Sequence, residues 1–188
     1  MKRIDPKKYH PAIKKLRQFF EDKGFIEVPT QPRLSILAAC EDPSTIADFS
    51  YTGKTWPLPQ TGQMHLEYEL LTTPDVPGYF CQTTSYRLEK NPIEGRHDLI
   101  FPMFEFETHG DMFVLKALEM ELLNFLGFGV NATLNYTNIA EAYGVKELEG
   151  EHETRIGQDF GPSVFLQNFP QHTNPFWNMK KNGEYASK

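Results

Sequence analysis

Residues 85–107 constrain the fold more than any other part of the chain; they read SYRLEKNPIEGRHDLIFPMFEFE. Two runs with the alternating pattern of β-strands surround a connector rich in charged and turn-forming residues. The pattern predicts two paired antiparallel strands whose side chains alternate between two faces. An apolar face then carries Ile100, Phe104 and Phe106. The opposite face collects the following side chains: Ser85, Arg87, Glu89, Phe101, Met103, Glu105 and Glu107.

The charged face has two interpretations, and the spacing alone leaves both open. Guanidinium groups bind phosphate oxygens through charge-assisted hydrogen bonds, and an aromatic ring can stack on a base, so the face suits a nucleotide. The connector, residues 90–98, adds the charged or titratable groups Lys90, Arg96 and His97. The same residues also fit a solvated hairpin whose charges pair across the strands.

The rest of the chain alternates helical and strand-like patterns. Apolar periodicity, together with glycine stops, predicts helices over residues 9–23, 61–71, 111–126 and 138–145. Further strands are predicted over residues 25–28 and 162–170, and residues 149–153 are expected to be a solvated acidic stretch. This order predicts an α+β fold, with an antiparallel β-sheet flanked by helices, in a single domain over residues 1–188.

Composition excludes several classes of function. With 188 residues, 39% hydrophobic, and a formal net charge of −6, the chain is expected to be globular and without a global basic field for nucleic acid. Cys40 and Cys81 form no zinc or disulfide pattern, and no metal ligands are predicted. No signal peptide or membrane span is apparent, so a cytoplasmic location is expected. P-loop and Rossmann fingerprints are absent from the sequence.

Four segments resemble, in order, the catalytic domain of class II aminoacyl-tRNA synthetases. YRLE…GRHDLIFPMFEFE looks like motif 2, and FFEDKGFIEVPTQP is similar to motif 1. GKTWPLPQTGQMHLE resembles the segment before motif 2 in the asparaginyl, aspartyl and lysyl subgroup, nearest the asparaginyl form, and GPSVFLQNFPQHTNPFWNMKKNG resembles a later strand and turn. The match runs along nearly the whole chain and implies a partial class II synthetase-like fold.

The resemblance implies an ATP site built largely from motif 2. Arg87 matches the arginine that holds the α-phosphate, and Glu89 matches the acid that faces the adenine amino group. Arg96 and His97 match loop residues near the γ-phosphate. Phe101 matches the ring that stacks on adenine.

The resemblance also implies an amino acid substrate and partners. Gln63 and Glu105 match positions close to the ammonium group of the amino acid. The implied reaction is formation of an aminoacyl-adenylate with ATP and Mg²⁺. Motif 1, here residues 19–34, implies a homodimer that buries Phe19, Phe20 or Phe25 partly against its twin. A tRNA partner is possible, although no anticodon-binding domain is seen.

Several departures from the family pattern limit what the resemblance implies. Ile100 stands where the family usually has Glu, and Leu66 stands where aspartyl enzymes carry a Lys. Pro32 lies one residue beyond the usual motif 1 Pro, and no motif 3 sequence, GxGxGxxR, occurs. We therefore expect a C-terminally incomplete domain that activates amino acids poorly on its own. Two alternatives stay open, namely an asparagine synthetase-like paralogue without tRNA activity and a catalytically inactive binding or regulatory module.

Overall fold

The computed structural model describes residues 3–30, 43–95, 97–130, 132–173 and 181–186. The chain divides into two compact units, Met1–His109 and Gly110–Lys188. The elements of the first unit are α1 (Pro6–Asp22), β1 (Ile26–Glu27), β2 (Asp48–Tyr51), β3 (Lys54–Pro57), α2 (Gln63–Thr72), β4 (Gly78–Tyr86) and β5 (Ile100–Thr108). Those of the second unit are α3 (Met112–Leu126), β6 (Ala132–Asn135), α4 (Tyr136–Tyr143), α5 (Gly150–Phe160), β7 (Val164–Gln167), β8 (Phe169–Pro170), β9 (Lys181–Asn182) and β10 (Tyr185–Ala186). The prediction of a single incomplete domain stays a prediction.

The central sheet of the first unit has the order β1-β4-β5. The two long strands β4 and β5 pair antiparallel over their full length, as the alternation predicted. Strand β1 pairs with β4 in parallel, with Ile26 opposite Tyr79, so the expectation of a purely antiparallel sheet is wrong. Parallel strands need a long crossover connection, and residues 28–77 between β1 and β4 provide it. The α+β class itself, with a sheet flanked by helices, is confirmed.

Helix α1 covers the apolar face of this sheet. Asp5 caps the helix by accepting a hydrogen bond from the Lys7 amide, and Gly24, with a φ of +79°, turns the chain into β1. Phe20 is fully buried at the centre of a cluster of rings. Its ring centroid lies between 4.7 and 5.8 Å from the centroids of five other rings, those of Phe19, Phe25, Phe80, Phe104 and Phe106.

The aromatic cluster changes one expectation about association. Phe19, Phe20 and Phe25 are only 6%, 0% and 7% exposed within the single chain, so their proposed burial against a twin is wrong. These rings belong to the core that supports β4 and β5. The homodimer remains a prediction that light scattering would test. Part of the motif 1 segment, including Pro32, lies outside the described residues.

The second unit departs more from the sequence-based expectation. Helix α3 is as predicted, with Asp111 as its N-cap and Gly127, in the left-handed region, at its C-cap. The stretch expected to be solvated and acidic begins helix α5, which was not predicted; Glu149 and His152 form a reciprocal capping box there, and Ile156 supplies the buried contact. The strand predicted over residues 162–170 is interrupted at Asn168, whose φ of +61° separates β7 from β8.

Two smaller features of the described residues complete the fold. Strand β6, which was not predicted, pairs in parallel with β7. Near the C-terminus, β9 and β10 pair antiparallel around Gly183. Among the described residues, no helix is both long enough and apolar enough to cross a membrane.

Candidate active site on the charged face of the sheet

The register between β4 and β5 assembles the predicted charged face. Ser85 lies opposite Phe101, and Cys81 lies opposite Glu105, so these four side chains share one side of the sheet. At roughly 3.3 Å per residue, the two pairs stand roughly 13 Å apart along the strands. The face therefore has two ends with different chemistry, one aromatic and cationic, the other acidic.

Arg87 belongs to the cationic end, one residue beyond the end of β4. Its backbone amide donates to the Leu99 carbonyl at 2.8 Å, so the pairing with the second strand continues past the strand's formal end. Its Nε donates to Ser85 Oγ and its Nη1 donates to Gln60 Oε1, both at 3.1 Å. The guanidinium of Arg87 is therefore held in one direction by uncharged acceptors.

The remaining residues of the predicted ATP site lie beyond or beside Arg87. Glu89 follows two residues later and is half-buried, whereas His97 lies in the exposed connector between the strands. There, His97 Nδ1 accepts from the Ile93 amide at 3.1 Å. An open cavity of about 750 Å³ is bordered by residues 92, 94, 95 and 97–100 of this connector. Arg96, predicted to meet the γ-phosphate, lies outside the described residues.

The acidic end is organised around Glu105. One carboxylate oxygen of Glu105 accepts from the Thr61 hydroxyl, and the other accepts from the Gly62 amide at 2.8 Å. Helix α2, predicted to begin at Thr61, has Gly62 at its cap position, and the Thr61 hydroxyl bonds Glu105. A Cβ at Gly62 would stand 2.6 Å from the sulfur of Cys81, so this close approach of α2 to the sheet requires glycine.

Gln63 and Glu107 complete this end of the face. Burial raises the pKa of Glu107 above its ordinary range, the hydrogen bond with Gln63 lowers that pKa, and the nearby charges of Glu67 and Glu105 raise it further. Burial, followed by the charge of Glu105, also raises the pKa of the Cys81 thiol to about 12. The thiol is therefore protonated and unreactive, whereas the carboxylates create a negative region suited to a cation.

Leu66 explains why this negative region lacks a lysine. The side chain is 1% exposed and packs with Val28, Tyr79 and Cys81 in the core beneath the acidic end. Position 66 is where the resemblance would put the lysine of an aspartyl enzyme. The acidic end therefore receives no positive charge from this position.

Sequence analysis found the residues that face the site but missed those that hold them. Gln60 and Gly62 were not singled out, although they contact Arg87 and Glu105 directly, and Ser85 was predicted on the charged face but not as a partner of Arg87. The local sequence around Gln60 carries no signal for its contact with Arg87. The partner itself could not be found from sequence, because Arg87 lies 27 positions away.

Several known proteins are similar to this chain in sequence and in fold. No protein-family model matches the chain. The asparagine–tRNA ligase of Desulforamulus reducens is 26% identical over 89% of this chain, and the aspartate–tRNA(Asp/Asn) ligase of Methanopyrus kandleri is 24% identical over 92%. The asparaginyl-tRNA synthetase of Pyrococcus horikoshii, solved with asparaginyl-adenylate, superposes with a TM-score of 0.79 at 19% identity over 94% of the chain. The chain has the fold of a class II aminoacyl-tRNA synthetase catalytic domain.

The predicted resemblance to class II aminoacyl-tRNA synthetases is confirmed, and the similar proteins are asparaginyl and aspartyl members of this class. A second asparaginyl-tRNA synthetase, from Entamoeba histolytica and also solved with asparaginyl-adenylate, superposes with a TM-score of 0.72 at 17% identity. The chain spans 45% and 46% of the length of the two curated relatives, and 48% of the Pyrococcus horikoshii chain. It is thus similar to about half of each of these synthetase chains.

Proposed function

We propose that the charged face binds ATP and an amino acid and joins them as an aminoacyl-adenylate. The observation that carries this proposal is the register of β4 and β5. It puts the oriented Arg87 and the ring of Phe101 at one end of the face, and Glu105, followed by Glu107, four residues further along β5 than Phe101. An adenylate has matching ends, because its phosphate is anionic and its amino acid ammonium is cationic. The adenylate complexes of two structurally similar synthetases support the same assignment.

In this proposal the cationic end receives the nucleotide. Arg87 binds the α-phosphate, Phe101 stacks on the adenine, and Glu89 accepts from the exocyclic amine. His97, and Arg96 beside it, meet the distal phosphates from the connector. These contacts neutralise charge and fix the triphosphate, which are the contributions that phosphoryl and nucleotidyl transfer need most.

The acidic end receives the amino acid. Glu105 and Gln63 bind its ammonium group, with Glu107 adding negative charge behind them. The amino acid carboxylate then attacks the α-phosphorus, a new carbon–oxygen–phosphorus linkage forms, and the bond to the β-phosphate breaks to release pyrophosphate. Positioning the two reactants on one face lowers the entropic part of the barrier.

In the proposed reaction, Mg²⁺ binds together with ATP. Among the residues the structure describes, no group of three or more His, Cys, Asp or Glu side chains is arranged to hold a metal ion. The carboxylates of the acidic end are engaged by Thr61, Gly62 and Gln63 instead. We therefore assign no protein ligand to Mg²⁺.

The proposal is tested by amino acid-dependent exchange between pyrophosphate and ATP, with asparagine, aspartate and lysine as substrates. Exchange with any of these supports activation, and asparagine is favoured over aspartate because Leu66 stands where the resemblance would put the lysine of an aspartyl enzyme. Binding of ATP without exchange would point to an inactive module. Exchange with aspartate followed by amidation, without transfer to tRNA, would point to an asparagine synthetase-like paralogue.

A further inference from the structure

A buried glutamine behind the site is bonded at both ends of its side chain. Gln60 has no exposed surface and lies just before α2. We propose that Gln60 is a positioning residue that fixes the direction of the Arg87 guanidinium before any phosphate binds. The inference rests on the proposed function, since it assigns Arg87 to a phosphate.

The hydrogen bonds of Gln60 determine which way its amide faces. A guanidinium has only donors, so the oxygen of the amide must face Arg87 Nη1, 3.1 Å away. The amide nitrogen then donates to Thr45 Oγ1 at 2.9 Å. Thr45 is 5% exposed, so this second bond is shielded from water and locks the orientation of the amide.

The backbone around Arg87 is attached to the same two segments. The Tyr86 amide donates to the Pro59 carbonyl at 2.9 Å, and the Leu88 amide donates to the Thr45 carbonyl at 2.8 Å. The fully buried Ser85 hydroxyl donates to the Gln60 carbonyl at 2.8 Å and accepts from Arg87 Nε. Backbone and side chain are thus held together, and the Arg87 rotamer is fixed from two directions.

The acceptors that hold Arg87 are uncharged, which distinguishes it from another arginine of the same unit. Arg17 pairs with the carboxylate of Glu27 at 2.7 Å, so most of its charge is used within the fold. Arg87 instead meets an amide oxygen and a hydroxyl, and its Nη2 bonds no residue that the structure describes. Its positive charge therefore stays available for an anion, while the rotamer freedom that a ligand would otherwise have to remove is already restricted.

The test is a double-mutant cycle on ATP affinity, measured by calorimetry well below the melting temperature of each variant. The variant Gln60→Met keeps the volume and removes both hydrogen bonds of the amide. We expect it to weaken ATP binding about tenfold in the parent background, the equivalent of about 1.4 kcal/mol. In the Arg87→Ala background, we expect the same substitution to change the affinity by less than about twofold. A merely structural role would give the same loss in both backgrounds.

Two further variants keep the proposal testable if Gln60→Met does not fold. Ser85→Ala removes the acceptor of Arg87 Nε together with the donor to the Gln60 carbonyl, and we expect an about threefold loss of ATP affinity that disappears in the Arg87→Ala background. Gln60→Glu keeps an acceptor, but its carboxylate offsets the positive charge of the Arg87 guanidinium. This variant should therefore bind ATP at least as weakly as Gln60→Met. Parent-like affinity in Gln60→Glu would contradict the argument about uncharged acceptors.

The outcomes separate this inference from the function on which it rests. If the parent binds ATP and Arg87→Ala weakens binding, but Gln60→Met binds like the parent, the proposed function stands and the role of Gln60 is wrong. Equal losses in both backgrounds also overturn the role. If the parent does not bind ATP, the proposed function fails and the inference falls with it.

Discussion

The start of α2 is expected to be held against the sheet by the side chain of Glu105. Its two carboxylate oxygens accept from the Thr61 hydroxyl and the Gly62 amide, which immediately precede the helix. Replacing Glu105 with alanine removes both bonds at once. The substitution should therefore loosen the start of α2 and, with it, the position of Gln63 in the acidic end.

The magnitude follows from the number and type of these contacts. A hydrogen bond to a charged group contributes about 1.5–3 kcal/mol, so the loss of two costs at least about 3 kcal/mol. Removing the charge also relieves repulsion with Glu107, which offsets about 1 kcal/mol at a partly solvated site. The net loss for Glu105→Ala is about 2 kcal/mol. Glu105→Gln keeps one acceptor and should lose about 1 kcal/mol.

Urea unfolding gives the free energies, and hydrogen exchange of residues 61–72 shows whether the loss is local. Both variants should exchange faster at the start of α2, with Glu105→Ala faster than Glu105→Gln. Glu94→Gln, at an exposed position of the connector, is the matched control and should change stability by less than about 0.5 kcal/mol. A Glu105→Ala protein as stable as the parent, with unchanged exchange at 61–72, would refute the reasoning.

Three other predictions concern the core and the titratable groups. Phe20→Ala should cost about 3–5 kcal/mol in urea unfolding because the ring is fully buried, whereas Phe113→Ala, 75% exposed, should cost less than about 0.5 kcal/mol; similar values for both would contradict the assigned core. The pKa of Glu107 is raised in the folded state, so its stabilising contribution is present below its ordinary value of 4.5 and is lost as pH rises through the raised pKa. Glu107→Gln should therefore be more stable than the parent at neutral pH, and its stability should not fall as pH rises through that range. A parent more stable than Glu107→Gln at neutral pH would reverse that sign. Peptide mapping should find Cys81 unmodified by a thiol reagent in the native protein and modified after unfolding, since burial raises its pKa to about 12; rapid native labelling would contradict the burial.

The charged face could be predicted from the sequence because it depends on local alternation. Once β4 and β5 pair, the two-residue period puts Arg87, Phe101 and Glu105 on one side and Phe104 and Phe106 on the other. The caps of α3 were equally local, since Asp111 and Gly127 bond within a few residues of their own helix. These are the features for which neighbouring residues carry most of the information.

The supporting contacts could not be predicted because their partners are distant in sequence. Thr61 has ordinary N-cap chemistry, but a carboxylate 44 positions away competes successfully for its hydroxyl. The parallel pairing of β1 with β4 likewise joins Ile26 to Tyr79, 53 positions along the chain, which no local pattern specifies. Helix α5 escaped notice because its acidic sequence offers only Ile156 as a buried residue. Contacts between residues distant in sequence therefore determine these features of the fold.

The central claim is that Arg87 binds the phosphates of ATP. Calorimetric titration of Mg²⁺ and ATP into the parent chain and into Arg87→Ala measures this, with Arg3→Ala, at an exposed position outside the site, as the control. We predict saturable binding by the parent and by Arg3→Ala. Arg87→Ala should bind about 10- to 150-fold more weakly, as expected for the loss of about 1.5–3 kcal/mol from a charge-assisted contact. Equal affinity of Arg87→Ala and the parent, or no binding by either, would contradict the account.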